Sequence, residues 1–208
     1  MSIGNFLNQI RQGASIYRII MNSELERVCS SLSGAALDLA SGKSPSYRKH
    51  LPEELAFTSA DIKTGIDFNK SLLFGDGTFD VVFFVNALYI ARDRQAVFSE
   101  IRRVLKNGGK FVLVSPFIAN EMPDPDDFCR LTYQGLETEL KMAGFKIKEI
   151  KRFGERFSSA VYLLDPVWYF RLVRLVVYGV ALFLDKLIPA KVRQVHPVPL
   201  GYICLVEK

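Results

Sequence analysis

The sequence predicts an α/β protein whose doubly wound, mainly parallel sheet is covered by helices on both faces. Two observations support this prediction. Short apolar segments alternate along the chain with segments in which apolar residues recur at helical spacing. The 208 residues, 49% of them hydrophobic, are enough for the core of one domain but would be cramped for two.

Six segments are predicted to be strands. All are short and bounded by turn residues, and all except the charged 146–152 are rich in apolar residues. They are 35–40, 55–60, 79–86, 110–115, 146–152 and 201–207. Helices are predicted at 94–105 and 132–143, and one or two more at 3–32. In the 94–105 helix, Val97, Ile101 and Val104 share one face, and the Asn-Gly-Gly turn at 107–109 ends the helix.

Composition divides the chain into an N-terminal helical segment, 1–34, and a main domain, 35–208. Within the main domain, 165–190 is predicted to be an apolar helical insertion before the last strand. Its residues 167–188 are rich in Trp, Tyr, Leu and Val but also carry Arg171 and Arg174. Such a segment either caps the sheet as a buried helix, lies on a membrane surface with its arginines reaching water, or mediates dimerisation.

Charge and cysteine content narrow the function classes. The net charge of +5 allows an acidic partner, but no nucleic-acid-binding motif accompanies it, so nucleic acid is not expected. Cys29, Cys129 and Cys204 are widely spaced, and neither they nor the acidic loop 121–127 have metal-ligand spacing, so no metal site is predicted. Without a signal-peptide pattern, the expected location is the cytoplasm, with a peripheral membrane position as the extension.

One acidic residue lies near the end of the first predicted strand, one follows the second, and one precedes the third. Asp38 leads into a loop that contains Gly42, Asp61 follows the second strand, and Asp67 precedes the third. Because ligands collect at the carboxyl ends of parallel strands, we expect these carboxylates to line one binding site.

Four ordered blocks between 37 and 145 carry a more specific signal. They read LDLASGKSP at 37–45, FNKSLLFGDGTFDVV at 68–82, EIRRVLKNGGK at 100–110, and RLT, GL and AGF between 130 and 145. Together they resemble the motifs of class I S-adenosylmethionine-dependent methyltransferases of the type 11-like family. The resemblance covers roughly 35–155 and returns at Gly201-Tyr202.

The resemblance implies a Rossmann-like fold with a seven-stranded sheet and a reversed final hairpin. It also implies that S-adenosylmethionine binds over the ends of the first, second and fourth strands, where Asp61 would accept hydrogen bonds from the ribose hydroxyls. Asp67, with Asn69 as the competing assignment, would lie near the adenine amino group. The cofactor-binding positions carried over are Asp38, Ala40, Gly42, Asp61, Asp67, Asn69 and Asn86.

The acceptor side is less sharply defined. By position, Tyr89 is the residue expected to face the acceptor, and packing is its alternative role. Tyr47, Arg48 and Arg130 are candidate substrate or lid residues. The implied reaction is direct in-line methyl transfer to a small-molecule or lipid-linked acceptor, and no general base stands out.

The sequence departs from the family pattern at its glycine loop. Ala40 occupies the position of the first motif glycine, and Ser44-Pro45 replaces the third. These departures favour an alternative in which the chain is a catalytically degenerate relative that acts as a binding or scaffold protein.

Overall fold

A computed structural model of the chain describes residues 2–40, 42, 45–62, 65–124, 126–165 and 170–208. It contains one six-stranded sheet. The strands are β1 (Gly34–Leu39), β2 (Leu55–Ala60), β3 (Phe79–Val85), β4 (Leu105–Pro116), β5 (Lys146–Phe153) and β6 (Gly201–Glu207). Their spatial order is β2-β1-β3-β4-β6-β5, with β1 to β4 parallel and β6 antiparallel to both of its neighbours. The reversed final hairpin and the predominantly parallel sheet are therefore present.

Seven helices surround this sheet in the described residues. They are α1 (Ile3–Arg11), α2 (Ile16–Cys29), α3 (Arg94–Val104), α4 (Tyr133–Met142), α5 (Arg156–Leu163), α6 (Arg171–Leu187) and α7 (Ala190–Val195). Side chains of Ser2, Ser15, Asp93 and Thr132 accept hydrogen bonds from the first turns of α1, α2, α3 and α4. Helices α5 to α7 lie between β5 and β6 in the chain.

The expectation of seven strands is wrong for the described residues, where the sheet has six and β2 forms its edge. The segment between β2 and β3 is held as turns by side chains of α3. Glu100 accepts a hydrogen bond from the backbone of Leu72 at 2.8 Å, and Arg103 donates to the carbonyls of Leu72 and Phe74 at 3.0 and 2.8 Å. These backbone groups are bonded to side chains and not to a strand neighbour.

The start of β4 also differs from the prediction. The sequence predicts that Leu105 ends the preceding helix. In the structure Leu105 is the first residue of β4, because it pairs with Phe79 of β3. The glycine turn lies inside the strand as an irregularity, with Gly108 at a φ of 76° and a register shift on β3 between Phe79 and Val81.

Both faces of the sheet are covered. Phe111 and Leu113 of β4 pack toward one face with residues of α3 and α4, whereas Val112 and Val114 pack toward the other with α2. This alternation explains why the central strands are apolar along their whole length.

Helices α1 and α6 form an additional layer outside α2. Ile16 and Ile19 of α2 pack there against Tyr178 and Ala181 of α6. Only those two residues of α6 are buried, so the interpretation of this segment as a mostly buried cap on the sheet is wrong. The start of the apolar segment, 166–169, lies outside the described residues. No helix in the described part of the chain has the length and apolarity needed to cross a membrane.

Candidate active site

The carboxylate of Asp38, at the end of β1, is fully buried and is held by two residues of the loop that follows. The hydroxyl of Tyr47 donates to its Oδ1 at 2.5 Å, and the guanidinium of Arg48 donates to its Oδ2 at 2.6 Å. Arg48 also donates to the hydroxyl of Ser59 on β2 at 2.9 Å. These contacts fold the loop back onto the ends of β1 and β2.

Tyr47 is buried, whereas the Arg48 side chain is 30% exposed. Burial, and next the charge of Asp38, raise the pKa of the Tyr47 hydroxyl far above its ordinary value, so this hydroxyl stays protonated as a donor. The guanidinium carbon of Arg48 lies 4.6 Å from the centre of the Phe57 ring. Their position indicates a structural clamp on Asp38.

An open cleft of about 220 Å³ lies beside this clamp, at the ends of β1 and β2. Three residues proposed from the sequence line it together with three apolar residues. The lining residues are Ala40, Gly42, Asp61, Ile62, Phe68 and Ile90. The structure therefore brings the glycine loop and Asp61 together at one opening.

The backbone of the glycine loop turns sharply at this cleft. Ala40 has a φ of 64°, in the left-handed region where a side chain is strained, and Gly42 has a φ of 68°. A Cβ on Gly42 would lie 3.8 Å from a carboxylate oxygen of Asp61. Gly42 thus lies next to the Asp61 carboxylate at the opening of the cleft.

Asp67 and Asn69 lie just outside the cleft, in the turn that also places Phe68 in its wall. Asp67 accepts a hydrogen bond from the backbone of Asn69 at 3.0 Å, and the ammonium of Lys70 lies 3.7 Å from its other oxygen. The side-chain oxygen of Asn69 accepts from the backbone of Arg92 at 3.0 Å. Asn69 therefore ties this turn to the segment before α3.

Asn86 ends β3 with a φ of 55° and contacts the N-terminal helices. Its side-chain oxygen accepts a hydrogen bond from the hydroxyl of Tyr17 at 2.6 Å, and its amide lies 3.2 Å from the sulfur of Met21. Burial raises the pKa of Tyr17 well above its ordinary value. Tyr17 and Met21 of α2 therefore cover the end of β3, and this contact is called the roof over β3 below.

Tyr89 lies in a short 3₁₀ turn, Leu88–Ile90, and is half-buried. The guanidinium carbon of Arg130 lies 4.8 Å from its ring centre, and Asp127 pairs with Arg130 at 2.6 Å. Burial raises the pKa of Tyr89, so its hydroxyl stays protonated at neutral pH and is not available as a general base. Arg130 therefore stands beside Tyr89 with its charge compensated by Asp127.

Asp126 and Asp127 of the 121–127 loop bond to other groups of the protein. In the described residues, no three His, Cys, Asp or Glu side chains are grouped as a metal ion would need. Asp127 accepts hydrogen bonds from the Arg130 guanidinium and from the backbone amide of Met122. A carboxylate oxygen of Asp126 lies 3.5 Å from the guanidinium of Arg92.

Part of the chain matches a known family. Residues 20–113, which hold β1 to β3, α3, most of β4 and the clamp on Asp38, match the family model of a methyltransferase domain. The resemblance to the class I methyltransferases is confirmed. No curated protein matches the chain.

Solved structures show the same fold at low sequence identity. An S-adenosylmethionine-dependent methyltransferase from Mesorhizobium loti is 15% identical with a TM-score of 0.56, the match covering 95% of this chain and 99% of that one. Phosphoethanolamine N-methyltransferase 2 from Haemonchus contortus, solved with S-adenosyl-L-methionine, is 14% identical with a TM-score of 0.55, covering 90% of this chain and 51% of that one. The [4+2]-cyclase SpnF is 16% identical with a TM-score of 0.53, covering 90% and 79%.

Within this methyltransferase fold, sequence reasoning missed the apolar wall of the cleft and the roof over β3. Phe68 opens the second motif block and Ile90 follows Tyr89, so both were adjacent to residues already singled out. Tyr17 had no such signal, because it lies 69 residues from its partner Asn86. The methyltransferase-like blocks locate the strand ends but not the helices that close over them.

Proposed function

We propose that the chain is an S-adenosylmethionine-dependent methyltransferase that binds its cofactor in the cleft at the ends of β1 and β2. The observation that carries this proposal is the position of Asp61. Its carboxylate, 8% exposed, lines an otherwise apolar cleft next to Gly42. A carboxylate at a strand end is suited to accept hydrogen bonds from the two ribose hydroxyls.

The other cleft residues fit the remaining parts of the cofactor. Ile62, Phe68 and Ile90 offer apolar surfaces for a purine ring. Asp67 is the better acceptor for the adenine amino group, because the oxygen of Asn69 is already bonded to the backbone of Arg92. Ala40 and Gly42 supply the close backbone approach.

Asp38 acts indirectly in this proposal. Its two oxygens are engaged by Tyr47 and Arg48, so Asp38 positions the loop that forms one side of the cleft. Tyr47 and Arg48, expected from the sequence to be substrate or lid residues, are assigned the same positioning role.

S-adenosylmethionine supplies a methyl group on a sulfonium sulfur, which is already a good leaving group. The protein then has to orient the acceptor in line with the methyl carbon and to exclude water. The Asn86–Tyr17 pair closes the end of β3, and Tyr89, whose raised pKa keeps it protonated, orients the acceptor through its hydroxyl and ring. Arg130 fixes the Tyr89 ring.

The acceptor class follows from the outer helices. Leu172, Val176 and Phe183 of α6 are more than half exposed. A surface of this kind favours a peripheral position on the cytoplasmic side of a membrane and a lipid-linked or other small acceptor.

Titration calorimetry with S-adenosylmethionine and its demethylated product tests the cofactor proposal. Asp61→Ala is expected to weaken binding by about 1 to 3 kcal/mol through the lost hydroxyl contacts. Asp76→Ala, a change of the same kind at an exposed position far from the cleft, should leave the affinity unchanged. No heat from either ligand at millimolar concentration would refute the proposal.

A second function is favoured by the clamp on Asp38 and by the strained backbone at Ala40. If these features close the glycine loop to the cofactor, the chain is a degenerate methyltransferase relative that binds a partner without catalysis. Absence of cofactor binding by the wild-type protein, together with an intact cooperative unfolding transition, would support this function.

A further inference from the structure

A groove of about 280 Å³ runs between α1 and α6 on the outside of the molecule. Its walls are apolar apart from Ser2, which caps α1, and Lys186, which lies toward the end of α6. The lining residues are Ser2, Ile3, Phe6, Gly179, Leu182, Phe183 and Lys186. A narrow apolar groove with one cation fits an extended hydrocarbon chain that carries an anionic end.

Gly179 keeps this groove open. A glycine inside a 17-residue helix costs about 1 kcal/mol relative to alanine. Neither the backbone nor the packing requires it here, since its φ is not positive and a Cβ built on it meets no atom within 4 Å. The missing side chain therefore leaves free volume in the groove wall.

A second cleft, of about 350 Å³, continues from the groove, and Leu182 and Lys186 line both. Arg152 of β5 and Arg193 of α7 line this cleft as well. The guanidinium carbon of Arg152 lies 4.6 Å from the centre of the Tyr133 ring, and Lys186 and Arg193 are exposed. The acidic residues of the cleft are engaged elsewhere. Asp185 accepts hydrogen bonds from the first backbone amides of α5 at 2.8 and 3.1 Å, and Glu155 pairs with Arg156. The cations at the junction are therefore available to an anion.

We propose that the groove and the cleft together hold one anionic phospholipid of a bilayer. Its acyl chain lies along Gly179 and Phe183, and its phosphate contacts Lys186 and Arg193. Charge complementarity selects this occupant, because the apolar groove opens onto two exposed cations. The proposal deepens the membrane association proposed for α6 and rests on it, whereas it does not depend on methyl transfer.

Flotation with phosphatidylcholine vesicles, with and without phosphatidylglycerol, tests the acyl-chain site. Gly179→Leu adds apolar surface but fills the groove, so binding to the anionic vesicles should fall by about tenfold, equivalent to roughly two methylene groups leaving an apolar site. Gly4→Leu is the matched control, since Gly4 is an exposed helical glycine of α1 with no atom near its added Cβ and does not line the groove. It should bind as well as the wild type or better.

The headgroup contact is tested by a pair of charge-matched double variants. The junction pair, Lys186→Gln with Arg193→Gln, removes the two cations proposed to contact the phosphate. The control pair, Arg171→Gln with Lys191→Gln, removes two exposed cations that line neither the groove nor the cleft. The junction pair should lose the preference for phosphatidylglycerol at least about tenfold more than the control pair. Equal losses would show attraction by surface charge alone and overturn the site.

The outcomes separate this proposal from the membrane association on which it rests. A wild-type protein that does not float with either vesicle refutes the membrane association itself. A wild-type protein that floats, with Gly179→Leu floating equally well, refutes only the groove. A cooperative unfolding transition of Gly179→Leu like that of the wild type shows that its loss of binding does not arise from unfolding. Gly179→Ala, which adds little volume, should retain most of the binding.

Discussion

The end of the sheet around Asp38 and the outer layer of α1 and α6 are built in opposite ways. At Asp38, a fully buried charge is matched by Tyr47 and Arg48 at 2.5 and 2.6 Å. On α6, apolar side chains such as Leu172, 78% exposed, have no covering element among the described residues. The first region fixes its own geometry, whereas the second is suited to meet another surface.

This difference locates where mutations should affect stability and where they should affect binding. Removing a partner at Asp38 leaves a buried polar group unsatisfied, which is costly. Polar substitution on the exposed face of α6 removes no internal contact and leaves the fold stable. Four substitutions test this difference, and Asp38→Asn is expected to have the greatest effect on stability.

Asp38→Asn should lower the free energy of unfolding by about 3 kcal/mol, because the amide cannot balance the Arg48 guanidinium in a buried setting. Urea denaturation measures the loss. Asp76→Asn is the control, since its carboxylate pairs with Arg103 while 81% exposed and should change stability by less than about 0.5 kcal/mol. Equal effects of the two variants would mean that the clamp contributes no more than a surface ion pair.

Tyr178→Phe tests a buried polar anchor of the outer layer. The buried hydroxyl of Tyr178 donates to Asp165 and also bonds the backbone of Ile16, so it ties α6 to α2. Its loss should lower the unfolding free energy by about 1 to 2 kcal/mol. Leu172→Ser, on the exposed face of the same helix, should have almost no effect in the same thermal or urea titration. A large effect of Leu172→Ser would show that the exposed face is covered by an internal contact.

Glu100 gives a pH-dependent prediction for the turns beyond β2. Hydrogen bonds from Arg103 lower the pKa of Glu100 from 4.5 to about 2. A lowered pKa in the folded state contributes stability above pH 4.5, and this contribution is lost as the pH falls toward 2. Glu100→Gln should therefore cost about 1 kcal/mol at neutral pH, and its difference from wild type should shrink between pH 4.5 and 2. A difference that is constant across this range would contradict the assigned cause.

Ala40→Gly should raise the unfolding free energy by about 0.5 to 1 kcal/mol. Relief of the left-handed backbone exceeds the added chain entropy of glycine. Among the described residues, Asn86 is the other non-glycine residue with a positive φ. Asn86→Gly should instead destabilise, because it removes the contacts with Tyr17 and Met21. The two variants, compared by urea denaturation, separate backbone strain from side-chain contact. Stabilisation by both would mean that the Asn86 contacts contribute little.

Much of the sheet was predictable because its strands are short apolar segments bounded by turns. The predicted 55–60 and 201–207 match β2 and β6 at both ends. The seventh strand came from the family resemblance and not from the residues, and the α3 side chains that hold the turns at 72–74 gave no local signal. The exposure of α6 could not be predicted either, since an apolar helix has the same sequence pattern whether it is buried or faces another surface.

The site was predictable only in part, for a related reason. Asp61 and Gly42 were found because they follow strands. The clamp on Asp38 depends on how a loop folds back over nine and ten residues, and the roof over β3 depends on a contact between residues 17 and 86. Such contacts arise from tertiary packing, which motif spacing does not encode.

The place of β6 has a consequence for the order in which the molecule can be assembled. β6 lies between β4 and β5 and, in the described sheet, is the sole hydrogen-bonded neighbour of β5. During synthesis, the backbone of β5 can therefore form its ladder with β6 only after residues 201–207 have left the ribosome, whereas β1 to β4 can already associate. We expect a nascent chain that ends before residue 201 to show hydrogen-exchange protection in β3 and β4 but not in β5.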